Sequence, residues 1–333
     1  MKGSTRRARR RLRVACAIDR DIERQVGSGT PVLDRAHGAH DVYLALRRSF
    51  DDVRLVPVCE DLERTLGSLH DVSPDVTFNL ARPATSNEPC FAGALEYEGF
   101  AFTGSGPLGI ALSRDKVRSR QLISLAGVDV PAFVEIRVGE RPDLGRLRPP
   151  LLVKPAYLGG CSRGIHARSV VGTRAAAYPL ARQIWATFGD SAVCDEFIVG
   201  RDLRVGALSD GKGQFRVIGI TESCFRKAPP GWGFKTNAIR MNPRVRSAQC
   251  VESVVPTLSM ALRRRIAEVA QTCASTLALR GYLTLDLRID EQGRCVVIEV
   301  NANPGLSRQS LIWGRPSLTH NVGRIVEVAA HSS

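Results

Sequence analysis

In Val296-Val-Ile-Glu-Val-Asn-Ala-Asn-Pro-Gly-Leu-Ser307 a carboxylate and an amide interrupt an apolar run. The β-branched residues predict a strand, and Pro304-Gly305 ends it. Side chains on a strand alternate between faces, so Glu299 and Asn301 share one. Mg²⁺ takes a carboxylate or two and leaves its other positions to water and phosphate oxygens, so two hard oxygen donors at a strand end suit it. The competing reading is a strand whose polar side chains face water.

The segment upstream favours the cation. Leu283-Thr-Leu-Asp-Leu-Arg-Ile289 alternates as a second strand, and Asp290-Glu-Gln-Gly293 supplies the turn of a hairpin. Counting back from the turn sets Asp286 opposite Glu299, to within about a residue or two, because turn geometry sets register. Like charges facing each other destabilise a sheet. Two carboxylates and Asn301 become favourable with a cation between them.

Other residues suggest anion chemistry. Leu151-Leu-Val-Lys-Pro155 ends an apolar strand on a lysine, which is costly to bury unless it meets an anion. Gly159-Gly-Cys-Ser-Arg-Gly164 follows, a loop whose backbone N–H groups can cradle phosphates. Ser113-Arg-Asp-Lys116 predicts an N-cap opening a helix to about Ala126. The strand Ser191-Ala-Val-Cys-Asp-Glu-Phe-Ile198 ends in acids able to receive an amino group or hydroxyls, and it restarts as Arg201-Asp-Leu-Arg-Val205. Thr221 to Asn237 is irregular, with Lys227, Pro229-Pro-Gly-Trp-Gly233 and Lys235, and is read as a lid. An amphipathic helix over 257–280 leads into the hairpin.

These elements sit behind a βαβ alternation. Strands are predicted at Leu12–Ile18, Val53–Val58 and Asp75–Asn79, with a helix at His40–Arg48, giving a small parallel sheet over roughly residues 12 to 107. No Gly-x-Gly-x-x-Gly follows the first strand, which excludes that dinucleotide signature. At 333 residues the chain holds two or three subdomains, and 44% hydrophobic and 24% charged residues resemble neither disorder nor a membrane protein. The net charge is +14, but Lys2, Arg6, Arg7, Arg9, Arg10, Arg11 and Arg13 place half of it in a basic tail, read as solvated, without nucleic-acid or membrane contact. Nine cysteines without Cys-x-x-Cys read as reduced thiols of a cytoplasmic protein, and the six histidines show no zinc spacing.

Asp-Lys116, Val-Lys-Pro155, the Gly-rich loop, Asp-Glu-Phe-Ile-x-Gly-Arg-Asp202, Asp286 and Glu-Val-Asn-x-Asn-Pro-Gly305 together resemble the ATP-grasp superfamily. Asp75-Val-Thr-Phe-Asn-Leu80, Phe102-Thr-Gly-Ser105 and Lys154-Pro-Ala-Tyr157 narrow the resemblance to the D-alanine–D-alanine ligase branch, from residue 70 onward. It implies an α/β N-terminal domain over 14–107 after the tail of 1–13, then an α+β ATP-grasp fold whose lobes, 108–194 and 195–330, hold ATP between them.

By the same resemblance, Lys116 and Lys154 would contact the α- and β-phosphates, and the loop around Cys161-Ser162 would cover the γ-phosphate. Asp195, Glu196 and Ile198 would line the adenine pocket, with Asp202 on the ribose. Lys235, or alternatively Lys227, would reach the γ-phosphate from the lid. Asp286, Glu299 and Asn301 would bind two Mg²⁺ ions, with Mn²⁺ as a substitute. Ser310-Leu311 stands at the spacing that meets the accepting amino acid's carboxylate, with Gly305 also on the substrate side. The partners would be small carboxylate and amine substrates and, in a homodimer, a second copy.

The chain departs from the branch at two places. Thr284 stands two residues before Asp286, where the branch has an oxyanion-stabilising arginine, leaving Arg288, Arg308 or Arg315 as substitutes. The Gly-Gly-x-Ser-x-Glu-His sequence that grips the first D-alanine is absent from Val14 to Arg35, and Cys161 replaces a serine. The expectation is an ATP-dependent ligase joining another carboxylic acid or amino acid to an amino acid through an acyl phosphate. A D-alanine–D-alanine ligase proper, a cyclising ligase and a nucleotide-binding regulator without turnover are the alternatives.

Overall fold

The structure, a computed structural model, describes residues 11–19, 38–81, 88–158, 162–254, 258–307, 310–314 and 317–331. Gly159, Gly160, Cys161, Arg308, Arg315, most of the basic tail and the segment 20–37 lie outside the described residues.

Strands β1 (Arg13–Asp19), β2 (Asp52–Val58) and β3 (Val76–Asn79) form a parallel sheet in the order β2-β1-β3, with helices α1 (Ala39–Ser49) and α2 (Leu62–Val72) as crossovers. Val14 to Ile18 are all fully buried because a central parallel strand is covered on both faces. Helices α3 (Glu88–Tyr97) and α4 (Pro107–Arg114) lead to α5 (Lys116–Leu125). The N-cap of α5 is Asp115, whose Oδ1 accepts from Val117 N and Arg118 N, and not Ser113, which lies in the last turn of α4 and donates to Ile110 O.

Strands β4 (Phe133–Ile136), β5 (Leu151–Pro155) and β6 (Val170–Val171), helix α6 (Ala177–Phe188) and β7 (Ala192–Glu196) follow. They build a four-stranded antiparallel sheet in the order β4-β7-β5-β6. Strand β7 carries Asp195 and Glu196.

A second antiparallel sheet has the order β10-β9-β8-β11-β12, from β8 (Gly200–Ser209), β9 (Phe215–Phe225), β10 (Cys250–Val254), β11 (Tyr282–Asp290) and β12 (Cys295–Asn301). Short helices α7 (Asn237–Met241) and α8 (Pro243–Gln249) precede β10, and α9 (Met260–Thr276) precedes β11. Strand β9 runs through Phe225, so the irregular stretch is shorter than the spacing of Pro and Gly predicted. Helix α10 (Leu318–Ala330) packs against α1 and ties the C-terminus to the first sheet. No helix among the described residues is long and apolar enough to cross a membrane.

One face of the second sheet is core. Leu203, Val205, Leu285, Leu287, Val297 and Val300 pack with Ile266, Val269 and Cys273 of α9. Alternation sends the intervening residues to the other face, where register aligns them in three rows across the strands. The first is Glu252, Ser223, Asp202 and Arg288; the second is Thr221, Arg204, Asp286 and Glu299; the third is Gly219, Gly206, Thr284 and Asn301.

The glycines of the third row are covered. Ser310 Oγ accepts from Ile312 N and Trp313 N, holding a turn that sets Ile312 over the two glycines, while Trp313 meets Tyr282 edge-on at 5.6 Å. A Cβ on Gly206 would stand 2.2 Å from Ile312 Cγ2. Gly206→Ala is therefore expected to lower stability by about 1–3 kcal/mol, since overpacking forces a stiff side chain to shift. Thermal unfolding checks this, and Ile312→Ala in the same background should recover part of the loss. An unchanged melting temperature in the single variant would contradict the packing described.

Candidate active site

The cleft lies between the two antiparallel sheets. Its first wall is a buried charge cluster in which Arg120, from α5, donates through Nη1 to Asp195 Oδ1, and Lys154 Nζ lies 3.1 Å from Asp195 Oδ2. All three residues are about 2% exposed. Arg120 Nη2 also donates to Ile298 O at 2.8 Å, joining this wall to β12, and its guanidinium lies 5.6 Å from the Phe133 ring centre. Burial opposes the charge on Asp195, but Arg120 and Lys154 outweigh it and hold its carboxyl below the usual range. Burial and the neighbouring Arg120 bring the Lys154 ammonium down to about 8. One acid shared by two cations leaves an excess positive charge where Lys154 faces the cleft.

The second sheet supplies the opposing wall. Asp286 pairs with Glu299 across the hairpin, as the turn predicts, and Thr284 pairs with Asn301. A bulge after Asp286 keeps Glu299 and Asn301 on the cleft face. Lys116 Nζ, which donates to Leu158 O, lies 4.0 Å from Glu299 Oε1. Lys116, Lys154, Ser162, Arg163, Arg204, Arg240, Asp286, Glu299 and Asn301 line one cavity, which sets five cations against two carboxylates. Ser162 turns there in the left-handed region, at φ 53°.

Asp286 is not free in this cavity. Arg204 grips it with two bonds, Nε to Oδ1 at 2.7 Å and Nη2 to Oδ2 at 3.0 Å, and Arg240 Nη2 stands 3.6 Å from Oδ2. Burial opposes its charge, but Arg204 and then Arg240 hold the carboxyl well below its ordinary value. Each carboxylate oxygen keeps a lone pair after such a fork, so Asp286, Glu299 and Asn301 together still fit a hard divalent cation that completes its shell with phosphate.

Adjoining that cavity, and sharing Lys154, Arg240, Asp286 and Glu299 with it, is a second cavity whose apolar wall comes from Pro131, Leu152, Phe197, Ile198, Phe234 and Leu287. Phe197 stacks on Trp232 at 5.7 Å. Glu196 and Asp202 reach this cavity, with Glu196 accepting from Arg148 N at 2.8 Å. Asp195 reaches it too, but its carboxylate is engaged by Arg120 and Lys154, so its side chain sets the lysine rather than standing open to a base. Lys235 turns inward, 3.4 Å from Glu252 Oε1, whereas Lys227 is exposed. Burial and the charges of Arg204 and Arg240 lower the Lys235 ammonium from its ordinary value.

Arg288 does not substitute for the missing arginine. It is 4% exposed and donates to Ile198 O at 2.9 Å, to Gly231 O at 2.8 Å and to Gly233 O, while Asp202 Oδ2 lies 3.6 Å away. These bonds pin the Pro-Gly segment around Gly231 and Gly233 to the turn between the sheets. Gly305, Ser310 and Leu311 lie on the loop leaving β12, outside both cavity linings, with Ser310 Oγ occupied in the turn below Ile312. Arg120, Arg204, Arg240 and Glu252 escaped the reading of the sequence. Arg204 had one usable signal: it sits on the same strand face as Asp202, two residues on.

An ATP-grasp protein is the class that this pair of sheets and the charged cleft define. The family model for the D-Ala D-Ala ligase C-terminus matches residues 122–323. A D-alanine–D-alanine ligase of Gluconobacter oxydans is 30% identical over 80% of this chain and 83% of its own length, and one of Methylobacterium radiotolerans is 30% identical over 78% and 80%. Among solved structures, the D-alanine–D-alanine ligase of Bacillus anthracis complexed with ATP aligns with a TM-score of 0.72 at 17% identity, covering 96% of this chain and 97% of that one. A D-Ala:D-Ser ligase of Enterococcus faecalis aligns with a TM-score of 0.68 at 17% identity, covering 96% and 100%. The chain belongs to the D-alanine–D-alanine ligase family.

Two outcomes follow for the cleft. In the free protein Lys154 loses its proton as pH rises through about 8. Phosphates favour the charged form, so ATP binding should take up a proton above that pH and weaken by up to about tenfold per pH unit. Calorimetry across about pH 7 to 9.5, in buffers of different ionisation enthalpy, checks it; constant affinity without proton uptake would contradict it. Arg288→Met should cost on the order of 3 kcal/mol in denaturant unfolding, because carbonyls and Asp202 lose their partner. Wild-type stability with a fall in turnover alone would restore Arg288 as an oxyanion donor.

Proposed function

We propose that this protein is an ATP-dependent ligase that joins a carboxylic acid or amino acid to the amine of an amino acid through an acyl phosphate. The observation that carries the reading is the cavity in which Lys116, Lys154, Arg204 and Arg240 face Asp286, Glu299 and Asn301 between two sheets. That excess of cations suits a triphosphate and a carboxylate, whose own repulsion would otherwise keep them apart.

A carboxylate is a poor acyl donor because oxide is its leaving group. One carboxylate oxygen bonds to the γ-phosphorus as the bond to the bridging oxygen breaks, and that electron pair leaves with ADP. The amine nitrogen then bonds to the acyl carbon and the C–O bond to phosphate breaks. The ammonium gives up two protons in all, one carried off by phosphate and one released. Lys116, Lys154 and Lys235 hold and orient the phosphates, and the apolar cavity beyond Leu287 takes the base, with Asp202 at its rim. Mg²⁺, held by Glu299, Asn301 and the remaining lone pairs of Asp286, would supply neutralisation of the phosphate charge. The lid carrying Lys235 excludes water, to which an acyl phosphate is labile.

Thr284 and the absent N-terminal signature direct the search for the first acid beyond D-alanine, although D-alanine belongs in any panel because the relatives carry that name. Purified protein with Mg-ATP and pairs of acids and amino acids should release ADP and phosphate together, with a product lighter than the sum of the pair by one water. Glu299→Ala should lower that release by about 10²-fold or more while the protein stays folded. AMP and pyrophosphate as products, or no release with any pair, would refute the reading.

A further inference from the structure

Thr284 leaves the acyl-transfer site without the guanidinium expected on its own strand, yet the next row of the sheet carries one. Arg204 on β8 stands directly across from Asp286, one row from the Thr284–Gly206 pair. It lines the same cavity as Lys116, Lys154, Ser162 and Glu299.

Its orientation is fixed. The Asp286 carboxylate takes the Nε–Nη2 edge of the guanidinium in a two-bond fork, so its Nη1 edge is not spent on that acid. Arg240, from α7, stands 3.6 Å from Asp286 Oδ2, and its Nε is buried without a hydrogen-bond partner. Two guanidiniums on one acid leave local positive charge that an arriving anion offsets. An arginine could not serve from position 284 itself: Thr284 is 3% exposed, its row is roofed by Ile312 over Gly206, and Trp313 closes the Tyr282 end.

We propose that Arg204 is a catalytic residue whose free Nη1 edge meets the oxygens of the γ-phosphoryl group as it passes from ATP to the carboxylate. It acts from β8 at the phosphoryl step, not at the oxyanion that an arginine at 284 would meet, and Asp286 positions it. The assignment rests on the ligase reading above. The charge of the transferring group is spread over its equatorial oxygens, where a preorganised fork acts most strongly in the transition state. The phosphorus–oxygen bond that forms and the one that breaks are those already described; Arg204 exchanges no proton.

Arg204→Gln and Arg204→Lys, checked for native melting behaviour, separate this role from a structural one. Three quantities are measured in each: the Kd for Mg-ATP, the retention of Mg-ADP with aluminium fluoride, which mimics the transferring phosphoryl group, and kcat with the best acid and amine pair. Both variants should bind Mg-ATP within about threefold of wild type, while retention of the fluoride complex and kcat fall by about 10²- to 10³-fold, with lysine less impaired than glutamine. Retention of the fluoride complex at the wild-type level in Arg204→Gln would overturn the proposal, as would an equal loss of ATP affinity. A wild type that does not retain the complex overturns it too. A wild type that retains it through Arg204 yet releases no ADP with any pair would sink the ligase reading and leave the phosphoryl contact standing.

Discussion

The carboxylate of Asp195, shut between Arg120 and Lys154, holds the cleft together. An ionised acid taken out of water is expensive unless cations and hydrogen bonds replace the solvent, and this one has two cations. Arg120 also reaches Ile298 O, so the same guanidinium ties the four-stranded sheet to the strand carrying Glu299 and Asn301. The distance between the walls therefore depends on a buried contact between a helix, a strand of one sheet and a strand of the other. The cluster sets two cations against one acid, and burial together with Arg120 lowers the affinity of Lys154 for its proton.

Against that wall the second sheet is laid out by register alone. One row ends on Arg288 beside the Phe197 cavity, the next sets Arg204, Asp286 and Glu299 side by side, and the last runs from two glycines under Ile312 through Thr284 to Asn301. The middle row thus faces the charged region, the apolar wall beside the first row comes from Phe197, Ile198 and Phe234, and Ile312 closes the two glycines of the third. Because a strand alternates, none of the cleft residues competes with Leu203, Val205 or Leu285 for the core beneath.

Much of this was legible in local patterns. The hairpin with Asp286 opposite Glu299 follows from alternation and a four-residue turn, and Lys154 stands out as a lysine closing an apolar strand. The parallel sheet of β1, β2 and β3 was visible for the same reason. What stayed hidden depends on partners far along the chain. Arg120 is one basic residue in a basic helix until β7 brings Asp195 to it, and Arg204 resembles an exposed strand arginine until β11 pairs beside it. Arg288 was misassigned for the converse reason: its place beside Asp286 is evident, but the carbonyls of Gly231 and Gly233 that occupy it come from a loop with no periodic signal. Asp115 rather than Ser113 caps α5 because α4 ends only one residue earlier, which the two overlapping cap patterns conceal.

In the proposed reaction a carboxylate receives the γ-phosphoryl group in this cleft. A carboxylic acid carrying heavy oxygen in both carboxylate positions tests it most directly, with mass analysis of the phosphate and of the joined product after turnover. One labelled oxygen per turnover should appear in the released phosphate, with the other retained in the new amide carbonyl. Unlabelled phosphate alongside a formed amide would contradict the account.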